Sequence, residues 1–341
     1  MRGGPIRALL RLVLYVLLAC LLTLVGTAAY ASQNATALPA AAVSRQQGQF
    51  ARPAPSATPA PPIMTVLAAS AFDQLRSDLE TIAARSGARV DISLQELSGP
   101  RRNNLSLNGN QSFYAASAYK VPLLMAEAQQ IASGQANGAD VLCFDPGDAE
   151  DGWFDDYDAG SCFTRDELAR RTGRYSDNTA AHILVRDLGG GPDALNGYAK
   201  SIGMTASALW VPNTTTADDL TAAWVNAALG RLGGAAAQQW LFPLLTHTVN
   251  ELGIPAGLPA SATVVHKVGT MYGTENDSAY IVNGRTSYVL SVAVDGVDET
   301  LGWSLIAQIS ARIWQYESAR PDFVAPVVAT PVAPSSRQNH H

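Results

Sequence analysis

Strand-type sequence occurs near the two ends of the foldable span and not between them, and this limits the architecture more than any other feature. Val90 to Leu97 alternates, with Val90, Ile92 and Leu94 on one face and Asp91, Ser93 and Gln95 on the other, the period of a half-buried strand. The next strands come late. An apolar run at Thr263-Val264-Val265 is followed by Ser278 to Val282 and Thr286 to Val294, which meet across Asn283-Gly284, a dipeptide suited to a tight hairpin. Between these ends, the spacing predicts helices over Val121 to Ile131, Arg165 to Thr172, Thr179 to Leu188, Asp193 to Ile202 and Ala217 to Leu229. One helix precedes the first strand, from Val66 to Arg85 with Leu75, Leu79 and Ile82 on one face and Gly87 at its end, and another, Leu301 to Tyr316, closes the span. Backbone N–H and C=O groups of a strand need a strand neighbour. Terminal strands plus one early hairpin, around a long helical insert, are expected to give an α+β domain whose antiparallel sheet is formed by both chain ends, with a helical subdomain.

The flanks of this span do not read as core. Residues 32 to 64 and 319 to 341 are rich in Ala, Pro, Ser, Thr and Gln and have few large apolar side chains. They cannot bury enough surface to offset the entropy of ordering, so they are expected to be linker and tail. Ahead of them, Arg2, Arg7 and Arg11 precede an uncharged, Leu- and Val-rich stretch from Leu12 to Tyr30. That pattern marks export, either as a membrane anchor with the rest outside the cytoplasm or as a signal cut near Ala29-Tyr30-Ala31. Residues 1–31 are then the signal or transmembrane segment, and 65–318 the folded domain. Cys20 reads as an ordinary cysteine of the apolar stretch.

Cys143 and Cys162, the other two cysteines, flank a loop dense in Asp and Gly. An oxidising compartment permits a disulfide between them; two separate thiols are the alternative, and no cysteine or histidine cluster has the spacing of a zinc site. Inside the loop lie Asp145, Asp148, Glu150, Asp151, Asp155, Asp156 and Asp158, with Trp153, Phe154 and Tyr157 among them. The simplest expectation is a solvated acidic surface loop; a calcium site or a rim of the active site are sharper ones, and the spacing is not that of an EF-hand. Net charge is −6, which offers no basic face to a nucleic acid.

Lysine appears only as Lys120, Lys200 and Lys267. Ser117-Ala118-Tyr119-Lys120 opens a predicted helix, so Ser117 and Lys120 lie one turn apart on one face. A serine hydroxyl becomes a useful nucleophile when a base takes its proton, and a lysine whose pKa is lowered by burial can be that base. Alone, this spacing is common, and a capping serine with a solvated lysine explains it equally. Two further runs bear on it. Ser176-Asp177-Asn178 opens another helix, where it would also serve as a cap. His266-Lys267-Val268-Gly269-Thr270 ends the late apolar run, and a glycine in a strand often marks the close approach of a ligand.

Serine-x-x-lysine, serine-aspartate-asparagine and lysine-x-glycine in this order resemble the class A β-lactamases and their penicillin-binding relatives. The resemblance spans about residues 66 to 316 and includes Phe163 to Leu168, Tyr175 to Ala181, Leu188 to Pro192 and Thr214-Thr215-Thr216. It implies the β-lactamase/transpeptidase fold and a role for each residue. Ser117 would attack an amide carbonyl and Lys120 would take its proton. The backbone N–H groups of Ser117 and Thr270, with Gly269 beside them, would hold the oxyanion. Ser176 would pass a proton to the leaving nitrogen, Asn178 would hold Lys120 and a substrate amide, and Lys267 would attract a substrate carboxylate. No cofactor or metal is implied, and the chain is expected to act as a monomer.

Two departures stand out. The family's β-lactamases carry a glutamate on an Ω-shaped loop that activates the deacylating water, whereas Thr205 to Asn213 contains no carboxylate. Asp218 and Asp219 follow, placed as first-turn helix charges. Val268 also stands where the family has Ser or Thr, leaving Thr270 as the nearby hydroxyl. The expected activity is hydrolysis of β-lactams or related amides with slow deacylation. The alternatives are a D-alanyl-D-alanine peptidase acting on peptidoglycan and a membrane-tethered penicillin-binding sensor that does not turn over.

Overall fold

The computed structural model describes residues 70–99 and 102–320. The export segment, Cys20, the linker and the tail beyond residue 320 lie outside the described residues. Among the described residues no helix is long and apolar enough to cross a membrane.

Helix α1 (Ala71–Ser86) is capped by Ser70, whose hydroxyl accepts from Asp73 N–H while the Asp73 carboxylate accepts from Ser70 N–H; the expected helical residues before Ser70 lie outside the described residues. Gly87, in the left-handed conformation, ends it. Strands β1 (Arg89–Glu96) and β2 (Asn104–Leu107) follow, then the two-residue β3 (Phe113–Tyr114). A 3₁₀ turn at Ala116–Tyr119 runs straight into α2 (Lys120–Ala132). Strands β4 (Val141–Cys143) and β5 (Cys162–Thr164) pair with Cys143 opposite Cys162, and the two sulfurs form the expected disulfide. The helical subdomain continues through α3 (Arg165–Arg174), α4 (Asn178–Asp187) and α5 (Gly191–Ser201). The short β6 (Thr214–Thr215) then pairs with β3 and leads into α6 (Ala217–Ala228) and α7 (Gly234–Leu241). The chain ends in β7 (Thr263–Met271), β8 (Thr274–Asn283), β9 (Thr286–Asp295) and α8 (Glu299–Ala319).

The five-stranded sheet has the order β2-β1-β9-β8-β7, antiparallel throughout, so it is built from both chain ends as expected, with β1 paired to β9. Its two faces bury different cores. Ile92, Leu94, Leu290 and Val292 pack against Leu75 and Leu79 of α1 and Ile306, Ile309 and Ile313 of α8. The other face gives Val265, Val289 and Ala293 to a larger core with the helical subdomain, in which Leu123, Leu124, Leu184 and Trp224 are fully buried. Each such side chain contributes about 1.5–3 kcal/mol by leaving water. Polar pins fix how α6 sits on the sheet: Trp224 Nε1 donates to Ser278 Oγ at 3.0 Å, and Thr221 Oγ1 to Ser291 Oγ at 2.9 Å. This arrangement leaves β7 at the sheet's edge, alongside the turn that carries Ser117.

Candidate active site

The 3₁₀ turn that carries Ser117 is held by three hydrogen bonds with two asparagines. Ala115 N–H donates to Asn213 O at 2.9 Å, Asn213 Nδ2 donates to Ala116 O at 3.0 Å, and Asn276 Nδ2 donates to Ala115 O at 3.2 Å. Ala116 itself has φ +47°, an uncommon conformation for a residue with a Cβ. A turn so strained persists only where its surroundings over-determine it, and such turns cluster at functional sites. Sequence reasoning missed both asparagines. Each bonds only backbone, and Asn276 reaches across 161 positions of chain, so no local pattern marks it.

Lys120 is fully buried, and its Nζ meets Ser176 O at 2.6 Å, Asn178 Oδ1 at 2.6 Å, Ser117 Oγ at 3.1 Å and Ser176 Oγ at 3.3 Å. The two shortest contacts go to oxygens that can only accept. A neutral amine donates to both and keeps its lone pair for the Ser117 hydroxyl proton. Burial, then the neighbouring Lys267 cation, holds the Lys120 pKa well below the usual lysine range, which favours that neutral form. Serine and lysine at this spacing are therefore brought together in space as well as in sequence, in the arrangement that a nucleophile and its base require.

The second motif divides its labour. Asp177 is the helix cap, accepting from Ala180 N–H at 2.8 Å, which releases the side chains on either side of it. Ser176, with φ +59°, turns its carbonyl onto Lys120 and its hydroxyl between the two lysines. Asn178 places Oδ1 on Lys120 and donates through Nδ2 to Asp151 O at 2.8 Å.

Lys267 completes the cluster from β7, donating to Ser176 Oγ at 3.0 Å and to Val268 O at 2.8 Å. Its burial lowers its pKa to about 7, against the opposing pull of Asp277. Gly269 is required by space: a Cβ there would lie 2.4 Å from Ala115 O and 2.8 Å from Asn276 Nδ2. The edge strand thus packs directly on the nucleophile turn, bringing the backbone on either side of Gly269 beside Ser117. Thr270, exposed at the end of this run, turns its hydroxyl to Glu275 Oε1 at 3.4 Å, so the hydroxyl expected to replace the one absent at Val268 is already engaged. Val268 packs its methyls into the sheet–helix core.

The Thr205 to Asn213 segment is as short as the sequence indicates and brings no carboxylate. Asp219, proposed from sequence only as a helix-end charge, is buried and anchors this segment by accepting from Ala206 N–H at 2.9 Å and Ser207 Oγ at 2.7 Å. Asp218 accepts from Ser106 Oγ at 2.9 Å. Both are thus occupied away from Ser117.

The loop between the cysteines is more than a solvated surface loop. Thr179 Oγ1 accepts from Glu150 N–H and donates to Glu150 O, Asp151 O receives Asn178, and Trp153 N–H donates to Asp177 at 2.9 Å. Its backbone is therefore built onto the serine-aspartate-asparagine motif as a rim of the site, with the Trp153 ring exposed. Asp148 pairs with Arg186 and Asp156 with Arg171, which spends two carboxylates that a cation would need. Among the described residues no group of three or more His, Cys, Asp or Glu is placed to hold a metal ion.

Comparison with known proteins agrees with this geometry. A family model described as the beta-lactamase enzyme family matches residues 74–317. The beta-lactamase OXY-2 of Klebsiella oxytoca is 29% identical over 232 residues, which is 61% of this chain and 77% of that protein. An ancestral class A beta-lactamase structure aligns with a TM-score of 0.65 at 28% identity, covering 71% of this chain and 99% of the other. A mutant of PBP-A, solved as an acyl-enzyme complex with penicillin G, aligns with a TM-score of 0.67 over 72% of this chain and 96% of its own; at 24% identity this likeness is one of fold.

Proposed function

The chain belongs to the beta-lactamase enzyme family, and from that membership we propose that it is an exported serine hydrolase acylated at Ser117 by β-lactams or related amides. The observation that carries this reading is the position of Lys120 Nζ, fully buried and 3.1 Å from Ser117 Oγ, with two shorter contacts to acceptor-only oxygens. In the proposed sequence, Ser117 Oγ attacks the amide carbonyl while Lys120 takes the hydroxyl proton. The backbone N–H groups of Ser117 and Thr270 receive the developing oxyanion, with Gly269 keeping the strand close enough. As the C–N bond breaks, Ser176 gives its proton to the leaving nitrogen and is resupplied through the lysines it touches. Asn178 holds Lys120, and Lys267 orients Ser176 and raises the local positive potential.

Deacylation requires a water and a base beside the ester. Positioned general bases typically contribute about 10²–10⁴-fold, and the Thr205 to Asn213 segment supplies no carboxylate. Slow release of the acyl group is therefore part of the proposal. The arginines before the apolar stretch from Leu12 to Tyr30 support export, with the folded domain, about residues 65–318, outside the cytoplasm as a monomer and anchored if the segment is retained. Turnover of a chromogenic cephalosporin by the unsubstituted protein but not by Ser117→Ala tests the reading; equal turnover by both refutes it.

A further inference from the structure

Thr270 lies at the exposed end of the lysine-x-glycine run, and its register partner on β8 is Glu275. The Thr270 hydroxyl donates to Glu275 Oε1, while Oε2, buried, has no hydrogen-bond partner. Gly302 of α8 presses on that oxygen so closely that a Cβ would come within 2.4 Å of it. Burial and then the negative charge of Glu299, relieved by the Thr270 hydrogen bond and reinforced by Asp295 and Asp298, raise the pKa of the Glu275 carboxyl. Beside it, Val268 offers methyl groups to the core and no hydroxyl to the cleft. The cation of this strand, Lys267, is buried and engaged with Ser176 Oγ and Val268 O. Among the described residues no arginine forms an ion pair or hydrogen bond with Thr270 or Glu275.

Thr270, a proposed oxyanion donor, thus has a buried carboxylate directly behind its exposed hydroxyl, with no guanidinium bonded to either. We propose that Glu275 is a specificity-determining residue: with Thr270 it makes this end of the cleft prefer acyl substrates whose group there is uncharged, an ester or an amide, over those with a free carboxylate. This rests on the acylation proposed above and narrows its substrate class. The unit charge of the ionised carboxylate, a few ångströms behind the Thr270 hydroxyl in a medium between protein and water, changes the capture of an anion by roughly fivefold to tenfold.

Benzylpenicillin and its methyl ester, which differ only in that carboxylate, are the probes, and the rate of adduct formation is read by intact mass. Each rate is divided by the compound's own rate of alkaline hydrolysis to remove intrinsic reactivity. The unsubstituted protein should favour the ester. Glu275→Gln, which keeps shape, should speed acylation by benzylpenicillin by roughly fivefold to tenfold and leave the ester within about twofold. A preference of the unsubstituted protein for the free acid, or a Gln variant that changes both rates equally or neither, overturns the inference while leaving acylation standing. Absence of any adduct with both compounds overturns the proposed function itself, and the specificity with it.

Discussion

Replacing Lys267 with methionine tests whether the two lysines act on each other. Methionine keeps most of the length and removes the charge. Both Nζ atoms reach Ser176 Oγ, at 3.3 and 3.0 Å, so they lie within about 6 Å of one another. At that distance and an effective dielectric of about 20, two unit charges repel by about 3 kcal/mol, or roughly two pH units. Lys267 itself loses its proton near pH 7, so the full repulsion exists only below that value and a shift of roughly one to two pH units is expected. The direction is fixed: without Lys267 the Lys120 amine is more easily protonated, and a base is lost on protonation. The acid limb of acylation should therefore move to higher pH in Lys267→Met. The assay is single-turnover acylation by an uncharged β-lactam ester from about pH 5 to pH 9, which removes any effect of a substrate carboxylate. An acid limb that stays in place while the plateau falls would show that Lys267 acts only on Ser176 and not on the base.

Gly269→Ala should lower acylation by about 100-fold or more with far-UV circular dichroism unchanged, because its Cβ would displace Ala115 and the nucleophile turn; near-normal acylation would show that the turn tolerates the shift. Replacing both Cys143 and Cys162 with serine should lower the unfolding free energy by up to about 3 kcal/mol, measured by denaturant melts, since the bridge closes a separation of 19 residues. His266 sits between Asp277 and Glu251. Burial works against its charge, but Asp277 and then Glu251 outweigh that and raise its pKa from 6.5 to about 9. Its stabilising contribution is complete below the ordinary histidine value and is lost as pH rises through 9. The stability gap between the unsubstituted protein and His266→Gln, about 3 kcal/mol at most, should narrow between about pH 7 and pH 10, and a constant gap in thermal melts would refute the charge pairing.

Much of the site was legible because each motif is local. Ser117 and Lys120 sit on one helical face, Asp177 caps the helix that displays Ser176 and Asn178, and all three runs meet in the fold as their order implies. The hairpin at Asn283-Gly284 and the sheet formed from both ends were readable for the same reason. The beginning of β8 was not. Thr274-Glu275-Asn276-Asp277 is polar and lacks strand alternation, yet it is buried, because each side chain has a partner on another segment: Thr274 has Asp295, Glu275 has Thr270, Asn276 has Ala115 and Asp277 has His266. Sequence periodicity reports apolar burial and is blind to burial of this kind. Helix α7 was missed because Gly233-Gly234 and an Ala-Gln run give it little apolar periodicity. The rim role of the cysteine-flanked loop was offered but not favoured, since its contacts with the second motif are made mainly by backbone and leave no mark on composition.

The central claim, a covalent acyl intermediate on Ser117 that releases slowly, is tested most directly by intact mass after a brief exposure to excess β-lactam and rapid removal of the drug. One added acyl group is predicted, located by peptide mapping on Ser117, absent from Ser117→Ala, and outlasting the acyl form of a relative with a loop carboxylate by roughly 10²-fold or more. An adduct that also forms on the alanine variant, or no adduct on the unsubstituted protein with several β-lactams, would contradict it.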